Sequence, residues 1–260
     1  MRIGVWQTEG VMGDPAGNIA RLAALLPRAQ DAGVALLLAP ELWSTGYNRA
    51  DAIREFAEPA DGPTRAAVAG LAAEFGIAIG YGYPELSGAT RYNSAQLVGP
   101  DGAALLNYRK LHLWGDHEKA LFVPGPPPGP PVRWRGWSIA FSICYDSEFP
   151  EIARRYALQG VDIILAPTAL GIGAAHIPDL IIPVRAIENG VHIAFCNRSG
   201  VEAGLTYHGG SCIVGPNGLK RATADDAEVL IFADIDLAAN TTARHHAPYL
   251  VDRRDDLLPL

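Results

Sequence analysis

Two short segments of this chain are written twice. Leu36-Leu37-Leu38-Ala39-Pro40-Glu41-Leu42 returns as Ile163-Ile164-Leu165-Ala166-Pro167-Thr168-Ala169, and Leu97-Val98-Gly99-Pro100-Asp101-Gly102 returns as Ile213-Val214-Gly215-Pro216-Asn217-Gly218. Between its two segments each half reads helix, glycine, strand, strand and turn, so a strand–helix–strand–helix–strand–strand unit occurs twice. The apolar run at 34–39 is continuous, the pattern of a strand buried on both faces of a sheet, and 161–167 reads as another buried strand. Two such units satisfy each other when their sheets pack face to face with helices outside both. The expected fold is therefore α/β, a four-layer α-β-β-α sandwich with an internal pseudo-two-fold repeat, drawn as one domain over residues 1–260.

The period of the apolar residues places helices at 18–32, 62–75, 149–159 and 178–189. Strands are expected at 2–7, 77–83, 92–98, 103–108, 191–196, 211–214 and 228–235, and a hairpin across Arg135-Gly136 leads into Cys144. Residues 111–130 read as irregular, because the prolines between 123 and 131 suit a fixed loop and not a strand. The tail 237–260 has no strong period and reads as a short helix plus an extended arm. At 49% hydrophobic and 19% charged residues the chain is compact and globular rather than disordered. A net charge of -7 and a pI near 5.5 argue against a nucleic-acid partner. No apolar run reaches the roughly 18 residues of a membrane span, and Met1-Arg2 leads straight into an alternating segment, so neither membrane nor secretory leader is expected. Three cysteines, Cys144, Cys196 and Cys212, form an odd set without metal-ligand spacing, which suits a reducing cytoplasm. No metal and no cofactor are expected.

The chemistry concentrates where apolar strands end. Ser138-Ile139-Ala140-Phe141-Ser142-Ile143 runs into Cys144-Tyr145-Asp146 and then Phe149-Pro150-Glu151, a strand, an elbow and a helix start. Backbone N–H groups and the helix dipole at such an elbow favour a thiolate. A buried core cysteine is the other reading of the same residue. Glu41 closes the first repeated strand, where a carboxylate is costly unless something uses it; a helix cap or a loop glutamate is the alternative. Lys110 ends another strand. The repeat brings corresponding strand ends together, making Glu41 and Thr168 neighbours of one site with Lys110 and Cys144 around it.

Pro40-Glu41 after an apolar strand, Tyr108-Arg109-Lys110-x-His112-Leu113 and Cys144-Tyr145-Asp146-x-x-Phe149-Pro150-Glu151 resemble the three signature segments of the nitrilase superfamily of carbon–nitrogen hydrolases. Glu118-Lys119-x-x-Phe122-x-Pro124-Gly125 resembles its second-glutamate segment, and Arg185-Ala186-x-Glu188-Asn189 and Asn197-Arg198-x-Gly200 resemble later structural ones. The resemblance spans nearly the whole chain. Gly80-Tyr81-Gly82-Tyr83-Pro84-Glu85 with Tyr92-Asn93-Ser94 looks most like the aliphatic amidases of the aminopentanamidase type. The four-layer sandwich is also that family's fold.

The resemblance implies a small-molecule amide as substrate and a role for each residue. Cys144 is the nucleophile, and Glu41 the base that later serves as acid. Lys110 and the Tyr145 N–H bind the oxyanion, while Glu118 orients Lys110 and assists with substrate. Adjacency to the strand ends places Tyr47, Trp114, Glu148, Thr168 and Ala169 around the pocket, each with a packing role as the alternative. Glu148 either accepts a cationic amine or hydrogen-bonds its loop. His112 packs or bonds beneath the loop, and Cys196 and Cys212 belong to the core. Relatives that cleave N-carbamoyl amino acids carry arginines just past the cysteine, where this chain has Ser147 and Glu148; nitrilases show Trp-Glu where it has Tyr145-Asp146. Small to medium aliphatic amides, neutral or amine-bearing, are the expected substrates. A nitrile or N-carbamoyl hydrolase, a metallohydrolase and a non-catalytic binding protein are the competing readings. The resemblance further implies a homo-oligomer, dimer or higher, associating through the helices after the nucleophile and the C-terminal arm.

Overall fold

The computed structural model describes residues 1–257. Its first half runs β1 (Arg2–Gln7), α1 (Pro15–Asp31), β2 (Leu36–Leu38), α2 (Ala50–Glu55), α3 (Pro63–Phe75), β3 (Ala78–Ser87), β4 (Thr90–Val98), β5 (Ala104–Arg109) and α4 (Gly115–Leu121). The second runs β6 (Val132–Trp134), β7 (Trp137–Phe141), a tight helical turn at Cys144–Glu148, α5 (Pro150–Leu158), β8 (Ile163–Pro167), a widened turn at Ile177–Ile181 and α6 (Ile182–Asn189). It continues through β9 (His192–Cys196), the small hairpin β10–β11 (Val201–Glu202 and Leu205–Thr206), β12 (Cys212–Val214), β13 (Lys220–Thr223), β14 (Val229–Asp234), α7 (Leu237–His246) and α8 (Tyr249–Asp252).

The repeat is visible in the pairing. One six-stranded sheet has the order β14-β1-β2-β3-β4-β5 and the other β6-β7-β8-β9-β12-β13. In both, the second, third and fourth strands run parallel and the other pairings are antiparallel. Even the irregularities recur: the register slips between Leu97 and Val98 in one sheet and between Ile213 and Val214 in the other. The turn that follows closes twice with one hydrogen-bond pattern, Gly102 N–H to Gly99 (2.9 Å) and Gly218 N–H to Gly215 (2.9 Å). Its last residue sits at φ +77° and +76°, a conformation open to glycine at no steric cost.

Alternation along the strands builds the layers. Ile3, Val5, Leu36, Leu38, Ile139, Phe141, Ile163, Leu165, Ala194, Cys196 and Ile213 point between the sheets into one fully buried core. Their neighbours point outward: Trp6, Leu37 and Ile79 meet Leu22, Leu25 and Leu26 of α1 and Val68 and Ala72 of α3. On the other side Ala140, Ile164, Ile193 and Phe195 meet Ile152, Ala153 and Tyr156 of α5 and Ile182 and Ala186 of α6. Period two on the strands thus produces four layers from two sheets. The α/β fold with helices outside both sheets is as expected.

Several expectations need correction. The stretch 111–130 is not wholly irregular, because α4 forms within it. A seven-residue helix is too short to show a period against its proline-rich neighbours. β13 adds to the expected strands; its Lys-Arg-Ala-Thr sequence, on a sheet edge, carries no apolar alternation to announce it. The tail holds two helices, α7 and α8, where a helix and an extended arm were expected, and residues 258–260 of that arm lie outside the described residues. No helix among the described residues is long and apolar enough to cross a membrane.

Candidate active site

Glu41 owes its place to a close approach of backbone to backbone. After β2 the chain lies on β3, with the Ala39 N–H donating to Gly80 (2.8 Å), the Gly82 N–H to Pro40 (3.1 Å) and the Ser44 N–H to Gly82 (3.2 Å). A Cβ on Gly82 would stand 2.4 Å from the Leu42 nitrogen and 2.8 Å from the Glu41 Cα, so only glycine fits beneath the glutamate. Glu41 is fully buried. Its Oε1 accepts from Asn93 Nδ2 and from Lys110 Nζ, each at 2.7 Å, whereas Oε2 has no protein partner. Burial holds the Glu41 carboxyl above the usual carboxylate range despite Lys110. A carboxylate with a raised pKa suits a general base better than an ordinary one does.

Lys110 is delivered by the end of β5 and fixed on both sides of its own peptide. Its N–H donates to Asn93 and its carbonyl accepts from Gly125, both at 2.8 Å. The ammonium is fully buried and divided between two carboxylates, 2.7 Å from Glu41 Oε1 and 2.6 Å from Glu118 Oε1. Burial pulls its pKa down, but Glu41, Cys144 and Glu118 together hold it above its ordinary value, so it stays a cation. Glu118, on α4, is saturated: Oε1 also accepts from the Tyr47 hydroxyl (2.7 Å) and Oε2 from the Trp114 N–H (3.0 Å).

Cys144 stands where β7 gives way to the turn before α5, at φ +48°, a region that costs a non-glycine residue about 1–3 kcal/mol. Asp146, two residues on and fully buried, secures the elbow. Its carboxylate accepts from the Tyr108 hydroxyl (2.8 Å), the N–H groups of Leu111 (3.3 Å) and His112 (2.8 Å), and contacts His112 Nδ1 at 2.8 Å. The nucleophile's turn is thereby tied to the segment carrying Lys110. His112 stacks on Phe149 at 3.8 Å, the packing role expected of it. Burial, then Glu41, pushes the Cys144 thiol well above its ordinary pKa, while Lys110 and the Ala169 N–H pull it back. The resting sulfur is therefore a thiol that needs a base.

A cavity of about 330 Å³ opens on Cys144. Tyr47, Trp114, Glu148 and Ala169 line it, with Leu170, Gly171, Ile172, Ala174, His176, Ile177 and Leu205 in mostly apolar walls. Thr168 does not reach it. The threonine is buried and its hydroxyl turns back to the Ala166 carbonyl (3.1 Å), so the repeat equivalent of Glu41 serves the strand end and not the pocket. The Tyr145 ring packs edge-on against Phe149 at 4.9 Å, and its N–H lies in the first turn of a helical segment, where N–H groups lack an acceptor within the helix. Asn93 and Asp146 enter the sequence reading only as parts of motifs. Asn93 sits among Arg91, Ser94 and Gln96 in β4, so the strand's own pattern did not single it out. Among the described residues no group of three or more His, Cys, Asp or Glu side chains is arranged to hold a metal ion.

Comparison with known proteins agrees with this geometry. Over residues 2–245 the chain matches the carbon–nitrogen hydrolase family. It is 41% identical over 259 residues to a protein of Pseudomonas protegens named hydrolase in pqqF 5'region, a match covering 99% of this chain and 90% of that one. An (R)-stereoselective amidase of a Pseudomonas species is 34% identical over 256 residues, covering 98% and 92%. The solved structure of the NitN amidase from Nesterenkonia sp. AN1 matches with a TM-score of 0.90 at 35% identity, covering 99% of this chain and 98% of that one. Another structure of that amidase carries the product of Michael addition of acrylamide at its active-site cysteine. Agreement in sequence and backbone from end to end places this chain in the carbon–nitrogen hydrolase family, within the nitrilase superfamily, as a hydrolase of carbon–nitrogen bonds.

Proposed function

We propose that the protein is an amidase that hydrolyses small aliphatic carboxamides, neutral or amine-bearing, to a carboxylic acid and ammonia through a thioester on Cys144. The observation that carries this reading is the Lys110 ammonium held between Glu41 and Glu118 beside a thiol open to a cavity. Glu41 takes the thiol proton as the sulfur attacks the amide carbon. The carbonyl oxygen becomes an oxyanion bound by Lys110 and the Tyr145 N–H, one such contact being worth about 2.7–4 kcal/mol in the transition state. Glu41 then passes its proton to the nitrogen, the C–N bond breaks, and ammonia leaves a thioester. Water, deprotonated by Glu41, attacks the thioester carbon; the C–S bond breaks, the proton returns to sulfur and the acid departs.

Cavity composition supports the substrate class. Glu148 is the carboxylate that lines it, Glu41 and Glu118 flank the Lys110 ammonium beside Cys144, His176 and Arg185 lie near Glu148, and no arginine is among the lining residues. A substrate carboxylate is repelled there, whereas a neutral chain suits the Leu170, Ile172 and Leu205 walls. On this reading the chain acts as one catalytic domain in the cytoplasm and as a homo-oligomer. Its three free cysteines suit a reducing compartment, and exposed Leu180, Val184 and Ile187 offer α6 and the turn before it as an association face.

Ammonia release from propionamide, an amino-amide, a nitrile and a carbamoyl amino acid tests the assignment, together with mass spectrometry of Glu41→Gln mixed with the amides. Turnover of amides and an acyl mass on the Cys144 peptide are expected. Turnover of the nitrile or carbamoyl compound alone, or acyl mass on another residue, would overturn it.

A further inference from the structure

Arg198 and Glu202 are buried charges for which the reaction above has no use. Arg198 lies just past β9, where it bridges to Thr8 beyond the end of β1, and Glu202 ends β10. Arg198 Nη1 donates to the carbonyls of Glu41 and Leu42, each at 3.4 Å, and Nη2 to the carbonyl of Glu9 at 2.6 Å. Its Nε lies 3.7 Å from Glu202 Oε2, and its guanidinium sits 5.5 Å over the Tyr207 ring. Glu202 Oε2 in turn accepts from the Tyr47 N–H (3.1 Å) and from the Tyr207 hydroxyl. Glu202 Oε1 faces Gly46, where a Cβ would stand 2.0 Å away.

These contacts close a circuit through the site. From the Glu41 backbone it runs through Arg198 and Glu202 to the Tyr47 backbone. From the Tyr47 hydroxyl it returns through Glu118 and Lys110 to the Glu41 carboxylate. The segment 41–47 between the two backbone anchors is built of turns, with Leu42 at φ +46°, and its own sheet holds it by a bond from the Ser44 N–H to Gly82 rather than by a ladder. A buried ion pair is weak evidence of a stability role, since packed apolar residues of like volume do as well or better. What apolar residues do not supply is two donors on carbonyls at one end and an acceptor for an N–H at the other.

We propose that Arg198 and Glu202 are positioning residues: an ion pair from the second half of the chain that clamps residues 41–47 of the first, and so fixes the Glu41 carboxylate and the Tyr47–Glu118–Lys110 line against Cys144. This rests on Glu41 serving as the base. The clamp holds the base and the oxyanion binder without touching substrate, so loosening it lowers kcat and leaves KM in place.

The test is steady-state kinetics on an aliphatic amide for Arg198→Lys, Tyr47→Phe and their double variant, with Glu202→Gln as a second probe and circular dichroism as the check on folding. Lysine keeps the charge but has no fork to span Glu41, Leu42 and Glu202. A drop in kcat of about 100-fold, the scale of a misplacement near 1 Å, is expected for Arg198→Lys with KM little changed. A double variant no worse than the poorer single one is also expected, because both substitutions open one circuit. Glu202→Gln, which keeps the acceptor for Tyr47 and Tyr207 but not the charge facing Arg198, should lower kcat by about 10-fold and answers the question if Arg198→Lys fails to fold. Unchanged kcat in a folded Arg198→Lys or Glu202→Gln, or losses that multiply in the double variant, overturns the clamp alone. A wild-type protein that turns over no amide overturns the amidase reading instead.

Discussion

Replacing Glu41 by Gln takes one negative charge out of a buried set that holds two carboxylates and a single ammonium. The glutamine carbonyl can take the place of Oε1 and keep the bonds from Asn93 and Lys110. Its amide then takes the place of Oε2, the oxygen with no protein partner, so an unpaired charged atom becomes an unpaired neutral one. Burial already holds the Glu41 carboxyl above its ordinary pKa, so keeping it ionised at neutral pH costs about 1.4 kcal/mol for every tenfold weakening of the acid. Glu41→Gln is therefore expected to be more stable than wild type at neutral pH while losing its activity. Glu118→Gln removes the same charge and should do the reverse. Three donors, from Tyr47, Lys110 and Trp114, converge on the two Glu118 oxygens, and either orientation of the amide sets N–H against a donor. A loss of about 2–3 kcal/mol follows from the bond broken and the donor left unpaired.

Urea unfolding of the three proteins at pH 5 and 7.5 separates these effects. A carboxyl whose folded pKa is raised contributes its full stability below the unfolded value near 4.3, and that stability is lost as pH climbs through the folded value. The advantage of Glu41→Gln over wild type is therefore small at pH 5 and larger at 7.5. A Glu41→Gln protein less stable than wild type at pH 7.5 would show that Lys110 outweighs burial at this carboxylate. Equal shifts in the two variants would show that the pattern of donors does not matter.

Gly82→Ala drives a methyl group into the Leu42 and Glu41 backbone, so a loss of about 1–3 kcal/mol in urea unfolding is expected, with kcat lowered and KM little changed because Glu41 moves. Iodoacetamide should label Cys144 alone, and at a rate that climbs through pH 8, since burial and Glu41 keep the thiol protonated at neutral pH. Peptide mass spectrometry against time would read both; a rate already flat at pH 6 would mean a resting thiolate. Cys196 and Cys212, fully buried in the two cores, should stay unlabelled until the protein unfolds.

Repeats, motifs and apolar runs made the architecture and the three central residues legible, because each depends on local spacing. Leu36-Leu37-Leu38 and Ile163-Ile164-Leu165 announce strands covered on both faces wherever they occur, and the glycine turns after β4 and β12 carry their own geometry. What escaped depends on partners distant in sequence. The helix that carries Glu118 has only seven residues, too few for a period to announce it, although Glu118 itself was read from its motif. Thr168 was expected in the pocket because it corresponds to Glu41 in the repeat; backbone symmetry does not extend to side-chain direction, and Ala169 fills the place. Arg198 could be read as a motif residue, but its carbonyl partners at Glu9, Glu41 and Leu42 lie far away along the chain.

The two halves share a skeleton and divide the chemistry. Glu41, Lys110 and Glu118 come from the first; Cys144, the Ala169 N–H and the Tyr145 N–H come from the second, so the site lies where the carboxyl ends of two sheets meet. Each half also places a non-glycine residue at positive φ beside its main contribution, Leu42 at +46° next to Glu41 and Cys144 itself at +48°. Strain of that kind persists only where the surroundings over-determine it. Here the surroundings are two buried charges of opposite sign working in complementary ways. Arg198 donates to the successive carbonyls of Glu41 and Leu42, and Asp146 accepts from the N–H groups beyond Lys110. Each charge reaches across from the second half to grip the first. Glu41 and Lys110 are thereby set against the thiol by contacts between the halves, so the geometry of the site is complete only when both sheets are packed together.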